Sequence, residues 1–222
     1  MALVKGVVDL TRPLGPGARV YPGDPAIIVE TYATHDRDGY YARRVCMPEH
    51  AGTHVDAPIH FHPGGSDVSG IPAWRLIAPA MVIGPLRGAV ASGELRRALG
   101  ACGFSAPRGW VLLVKGEPLL GSDAARLLAS IGISGLGVET MSPDEHPYPV
   151  HKELLRRGIV IIENLDLAVL EPCTRLTLFI GALRLVGGSG APARIIGLLD
   201  DAWLGLSILE RYGEERNTCS EK

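Results

Sequence analysis

Four of the chain's seven histidines fall within thirteen residues, in the run Glu49-His50-Ala51-Gly52-Thr53-His54-Val55-Asp56-Ala57-Pro58-Ile59-His60-Phe61-His62. Imidazole nitrogens and carboxylate oxygens are the donors that hold Zn²⁺ or Mn²⁺. A lone histidine is usually an ordinary surface or core residue. The spacing H-x3-H-x-D-x3-H is not how independent histidines scatter, so the run reads as a metal-binding segment. His50 and His54 stand four apart and would share a face if the run were helical. Gly52, the β-branched Thr53 and Val55, and Pro58 argue instead for a loop leaving the preceding strand. On such a loop the small Ala51 and Gly52 let the backbone fold closely enough for His50, His54 and Asp56 to converge on one ion. Far along the chain, Glu163 closes the apolar run Gly158-Ile159-Val160-Ile161-Ile162; taken alone it reads as a strand-end carboxylate meeting water.

The elements that must position these groups follow from patterning. Residues 26–33 and 40–47 are β-rich and flank the polar connection Thr34-His35-Asp36-Arg37-Asp38-Gly39. A Gly/Pro-punctuated loop runs from 48 to 72, after which strands and helices alternate. Residues 80–83, 110–114, 135–138 and 158–163 read as strands, and 175–186 and 193–199 as two longer ones. Helices are expected at 92–99 and 122–131, each with a serine N-cap, and at 150–157. The expectation is one α/β domain over 1–222, with a mixed β-sheet and flanking helices.

Composition limits the partners. The chain has 222 residues, 46% hydrophobic and 21% charged, and a net charge of −2, so it buries a sizeable core and is not a disordered tail. No basic run offers phosphates or anionic lipid a footing, which argues against nucleic acid and membrane and for a small-molecule substrate. No apolar run approaches a bilayer-spanning length, and the N-terminal Met-Ala-Leu-Val-Lys-Gly-Val-Val-Asp-Leu breaks a secretory core with Lys5 and Asp9. Cys46, Cys102, Cys173 and Cys219 form no CxxC pair. A cytoplasmic protein with free thiols is expected.

The run H-A-G-T-H-V-D-A-P-I-H-F resembles the signature of the cyclase-type metal-dependent hydrolases, a family that includes bacterial kynurenine formamidases (arylformamidases). The resemblance extends along the chain in order. Asp9-Leu10-Thr11-Arg12-Pro13-Leu14 and Val20-Tyr21-Pro22-Gly23-Asp24 are similar to the family's opening blocks. Gly137-Val138-Glu139-Thr140-Met141-Ser142 follows, then His151 with Leu154-Leu155, Gly158 through Glu163-Asn164-Leu165, and Gly190-Ala191-Pro192-Ala193-Arg194.

The resemblance implies a cyclase-like swivelling β/β/α fold and a centre of two divalent metals, Zn²⁺ first and Mn²⁺ second. His50, His54 and Asp56 would hold one ion, Asp56 would reach the other, His151 would bind that second ion, and Glu163 would serve both. Bridging carboxylates suit this division, because they screen the repulsion of two close cations where imidazole cannot. The family block also prefers His151 to the nearby His146; His62 and His146 fall to outer or surface positions, and His35 to the hairpin. His60 stands at the place of a catalytic acid/base, expected to titrate near pH 7. Gly52 and Thr53 would orient ligands through backbone N–H and hydroxyl groups. Tyr21 and Phe61 would face the substrate ring, and a homo-oligomer, dimer or tetramer, is implied.

The implied reaction is hydrolysis of N-formyl-L-kynurenine to L-kynurenine and formate. Its rivals are an isatin hydrolase-like opening of a cyclic amide or lactone, and a metal-binding module without turnover. Three departures bear on the pocket: Tyr21 stands where tryptophan is frequent, Glu139 replaces aspartate and is expected to shift the pocket wall, and residues 141–150 form a proline-stiffened rim.

Overall fold

The computed structural model describes residues 6–104 and 108–199. Cys219, the opening Met-Ala-Leu-Val-Lys and the outer limits of the expected 1–222 domain lie outside them. In chain order the strands are β1 (Val7–Asp9), β2 (Ile28–Ala33), β3 (Ala42–Cys46), β4 (His54–Asp56), β5 (Ile77–Val90), β6 (Val111–Leu120), β7 (Gly135–Val138), β8 (Val160–Glu163), β9 (Arg175–Ala182) and β10 (Gly190–Leu198). The helices are α1 (His35–Asp38), α2 (Ser92–Ala101), α3 (Ser122–Ile131) and α4 (Pro149–Arg156).

Eight strands form one mixed sheet in the order β1-β10-β4-β8-β7-β6-β5-β9. Strands β5 to β8 run parallel and the remaining pairings are antiparallel. Strand β9 pairs with β10 as well as with β5, so the sheet closes on itself. Strands β4 and β1 share one edge of β10, meeting Gly190–Pro192 and Ile196–Leu198 respectively.

Side chains alternate between two cores, as period-two strands require. Val82, Val111, Leu113, Val160 and Ile162 point into the closed sheet with Leu10, Val55 and Ile195. Met81, Ile83, Leu112, Val114, Leu136 and Ile161 point outward and pack under α2, α3 and α4. The apolar stripe of α4 (Val150, Leu154, Leu155) is buried, which fixes His151, on the same helix, over the outer face of β8. Burying each such leucine contributes about 1.5–3 kcal/mol.

Four expectations need correction. The 48–72 segment is not loop throughout: His54–Asp56 is a strand held between β8 and β10. Its three residues are too short to show a period, and only long-range pairing makes them a strand. Ser92 and Ser122 do not cap their helices. They are the first helical residues, after Ala91 and Gly121, and the Ser92 N–H donates instead to Asp123 Oδ2 at 2.7 Å. The connection between β2 and β3 contains a single helical turn, α1. Finally, Cys102 and Cys173 are disulfide-bonded with Cα atoms 5.0 Å apart, against the expectation of free thiols; Cys46 is free and exposed. Their 71-residue separation hid a contact made only when the end of α2 meets the turn before β9.

Candidate metal centre

Strand register builds the site. His54 stands opposite Glu163, Val55 opposite Ile162, and Asp56 opposite Ile161. Alternation therefore sends Val55 and Ile162 into the closed sheet and turns His54, Asp56 and Glu163 together onto the outer face. His151, in the first turn of α4, reaches over the same spot. His54 Nε2 lies 3.2 Å from Glu163 Oε2 and 3.4 Å from Asp56 Oδ1. His151 Nε2 lies 3.2 Å from Glu163 Oε1 and 3.4 Å from Asp56 Oδ2. All four residues are buried.

Each imidazole is anchored by its far side. His54 Nδ1 donates to Gly52 O at 2.8 Å. His151 Nδ1 donates to Asp144 Oδ1 at 2.5 Å, and Asp144 also accepts the Val150 and His151 N–H groups. His50 Nδ1 meets Asp56 Oδ1 at 2.8 Å, while its Nε2 meets Ser189 Oγ at 2.9 Å. Glu49 in turn accepts from Ser189 Oγ and N. Glycine is required at two of these places. Gly52 has φ +62°, and a Cβ there would meet Leu14 Cδ1 at 2.6 Å; a Cβ on Gly190 would meet His50 Cε1 at 2.6 Å.

This arrangement fits a divalent cation. With Nδ1 of His54 and His151 committed as donors, each Nε2 faces carboxylate oxygens and must carry either a proton or a metal cation there. His54 Nε2 and Asp56 Oδ2 are buried without a hydrogen-bond partner. Three buried carboxylates, Asp56, Asp144 and Glu163, also need compensation that water cannot give them. The electrostatics point the same way. Burial disfavours the charged imidazole, yet the adjacent Asp56 and Glu163 carboxylates outweigh it and raise His54 to about 10. Burial is likewise outweighed at His151 by Asp144, Asp56 and Glu163, which raise it to about 12. Asp56, opposed by its own burial, is held well below the usual carboxylate range by His151, His50 and His54. Two donor groups emerge, His54 with Asp56 and Glu163, and His50 with Asp56 and His60.

His60 follows β4 in the short 3₁₀ turn Pro58–His60 and stacks on His50 with ring centroids 4.1 Å apart. Its outer edge is exposed. Desolvation of the rest of the ring, followed by the positive neighbours His50, His151 and His54, pushes its pKa down to about 4 despite Asp56. The expectation of titration near pH 7 is corrected: His60 is neutral there.

Aromatic rings wall the mouth. Phe61 lies 4.7 Å from His151 and 5.3 Å from Tyr148 between centroids. Tyr21 is exposed, and its hydroxyl sits 3.4 Å from that of Tyr148. That contact, then desolvation, raises Tyr21 to about 12, so it stays protonated. Tyr148 holds a left-handed backbone, φ +58°, between Pro147 and Pro149.

Other expected roles fall differently. Gly52 orients His54 through its carbonyl rather than its N–H. Thr53 Oγ1 accepts from Arg12 N and donates to Asn164 O, joining β4 to its neighbours rather than touching the cluster. Glu139 accepts from the Gly116 and Leu167 N–H groups and ties backbone together, so it does not shape the pocket wall. His62 binds Lys152 O at 2.9 Å, His146 is exposed beside Tyr148, and His35 stacks on Tyr41. Sequence reasoning missed Asp144, Ser189, Glu49 and Tyr148. A Ser142-Pro143-Asp144 turn seven residues ahead of His151 was a readable signal for the first; a serine among glycines gave none for the second.

The chain matches the family described as "Putative cyclase" over residues 8–145. It is 30% identical over 210 residues to a kynurenine formamidase of Salinibacter ruber, covering 86% of this chain and 96% of that one. Among solved structures, a "potential metal-dependent hydrolase with cyclase activity" is similar with TM-score 0.75 and 26% identity over 88% of this chain and 98% of its own. An isatin hydrolase bound to thioisatinate shares the fold, with TM-score 0.77 and 23% identity over 88% and 92%. Among the described residues no helix is long and apolar enough to cross a membrane.

Proposed function

This chain belongs to the Cyclase family, and from that premise we propose that it is a metal-dependent amidohydrolase of the arylformamidase type, converting N-formyl-L-kynurenine to L-kynurenine and formate. One observation carries the reading: the buried carboxylates of Asp56 and Glu163 face imidazole nitrogens of His54 and His151 whose opposite nitrogens are already engaged. The relationship to a kynurenine formamidase supports the substrate.

In this reading His50, His54 and Asp56 would hold one ion and His151 a second, with the Asp56 and Glu163 carboxylates available to both. Zn²⁺ is the first choice and Mn²⁺ the second, since both accept imidazole and carboxylate. Bound ions supply Lewis acidity, acidifying water and polarising the formyl carbonyl. His60 acts from the mouth of the site. It is neutral at pH 7, so it begins turnover as a base, taking a proton from the attacking water. Once charged, it is a strong enough acid to pass that proton to the departing nitrogen. Phe61 and Tyr21, with Tyr148 between them, present ring faces to an aryl group. The aniline product is a better leaving group than an alkylamine, which matches a formanilide to this single acid/base.

The whole chain, 1–222, is proposed as one such hydrolase domain in the cytoplasm, acting on a small molecule without nucleic acid or membrane. A homo-oligomer is part of the proposal. Among the described residues strands β2 and β3 pair only with each other and leave Ile28, Tyr32, Tyr40, Tyr41 and Val45 about half exposed or more. An isolated two-stranded hairpin is marginal in water, and a second copy of this chain would cover it. Light scattering should then give a dimer or tetramer mass.

The deciding assay sets N-formylkynurenine against isatin after chelation and metal addition. Turnover of formylkynurenine, lost on chelation and restored by Zn²⁺ or Mn²⁺, is expected. Turnover of isatin alone would replace the substrate, and metal binding with turnover of neither would leave a binding module.

A further inference from the structure

We infer a second ligand site, for a small monocarboxylate with an apolar body, at the opposite end of the parallel strands from the histidine cluster. There the segments leading into β5, β6, β7 and β8 meet around an open cavity of about 350 Å³, lined by Trp74, Arg75, Arg108, Ser134, Arg157 and Ile159 among others. Among the described residues no acidic side chain lines it.

Two polar atoms at this cavity are buried and have no hydrogen-bond partner, Arg75 Nε and Ser134 Oγ. Both can donate, and both are otherwise fixed in place. Arg75 donates through Nη1 to Gly158 O and stacks on Trp74 at 5.1 Å, while the Ser134 N–H is bonded to Trp110 O. A buried donor left unmade costs about 1–3 kcal/mol, so a pair of them on residues that line one cavity calls for an acceptor.

Charge counting selects a monoanion. Arg157 already pairs with Glu153 at 2.8 Å. The C-terminal ends of α3 and α4 also point here, each with about half a negative charge. Against these, Arg75 and Arg108 leave roughly one positive charge unmatched. A monocarboxylate satisfies that charge and the two donors together. Trp74, Ile133 and Ile159 supply the apolar remainder of the wall, which a bare inorganic anion would leave uncovered.

The test is calorimetric titration of sodium benzoate into the metal-loaded protein, with inorganic phosphate and uncharged benzyl alcohol as comparisons. Benzoate is expected to bind more tightly than either. Arg108 is exposed, so Arg108→Glu leaves the fold and turnover intact; it should weaken benzoate at least ten-fold. Crystals soaked in 4-bromobenzoate should show the carboxylate at Ser134 and Arg75, with bromine against the Trp74, Ile133 and Ile159 wall. Equal benzoate affinity in wild type and Arg108→Glu, or bromine confined to the histidine cluster, would overturn the site and leave a water-filled cleft. Neither result depends on whether formylkynurenine is turned over, so the two proposals fail separately.

Discussion

His54 on β4 and Glu163 on β8 face one another across an antiparallel pair, and their Nε2 and Oε2 atoms lie 3.2 Å apart with both residues buried. Residues far apart in the chain are thereby neighbours by register alone. A one-residue slip of β4 would send His54 and Asp56 into the closed sheet and Val55 outward, so the pairing that builds the core also aims the ligands.

Substituting Glu163→Gln keeps the shape and removes the charge. Metal content measured by mass spectrometry should fall, and turnover should drop by about a hundred-fold or more, beyond the effect usual for outer partners. Asp56→Asn, which touches all three imidazoles, should lose metal more completely. Full metal content in Asp56→Asn would show that the carboxylate is not a ligand.

His60→Ala distinguishes a base from a ligand. His60 can reach a donor group with His50 and Asp56, so geometry admits both. The expected outcome is unchanged metal content with kcat lowered by about 10²–10⁴-fold. Loss of one equivalent of metal would reassign the residue.

Legibility in the sequence tracked how local each contact was. Strand β7 and helix α3 were readable to the residue because their apolar pattern and flanking glycines are local. His50, His54, Asp56 and His60 stood out by spacing, and the structure brings His151 and Glu163 to them. Strand β4 was not readable, because three residues between Gly52 and Pro58 carry no period. Ser189 was hidden for a related reason: it acts through one hydrogen bond to an imidazole, a contact fixed by tertiary placement. The Cys102–Cys173 bond likewise depends on two elements meeting far from each other in the chain.

Without metal, the cluster should make stability depend on pH. His54 and His151 are raised in the folded state, to about 10 and about 12, from an ordinary value of 6.5. Their stabilising contribution is complete below about pH 6.5 and is lost as pH climbs through the folded values. The melting temperature of chelated protein should therefore decline between about pH 6.5 and 10. Metal-loaded protein should resist this, because ions replace the protons, and metal affinity should rise over the same window. A flat profile for chelated protein would contradict the charge assignment.

The disulfide supplies a test of both stability and compartment. Closing a loop of 71 residues should contribute about 2–4 kcal/mol, so Cys102→Ser or reduction should lower the melting temperature by several degrees. Alkylation of thiols in intact cells reads the compartment. An oxidised pair in living cells would count against a reducing cytoplasm, whereas a reduced pair that oxidises on purification would agree with it.

Asp144 is a positioning residue, and its role separates from a structural one. Its carboxylate accepts the first amides of α4 and the His151 Nδ1 proton together. A carboxamide in its place would still present a carbonyl oxygen to the Val150 N–H, but would no longer supply charge behind the imidazole. Asp144→Asn should thus lower the melting temperature of chelated protein near neutral pH, where His151 is charged, and weaken metal binding about 10–100-fold. Asp144→Glu, with charge restored on a longer arm, should recover part of that loss. A large drop in melting temperature with metal affinity unchanged would show that Asp144 serves only the start of the helix.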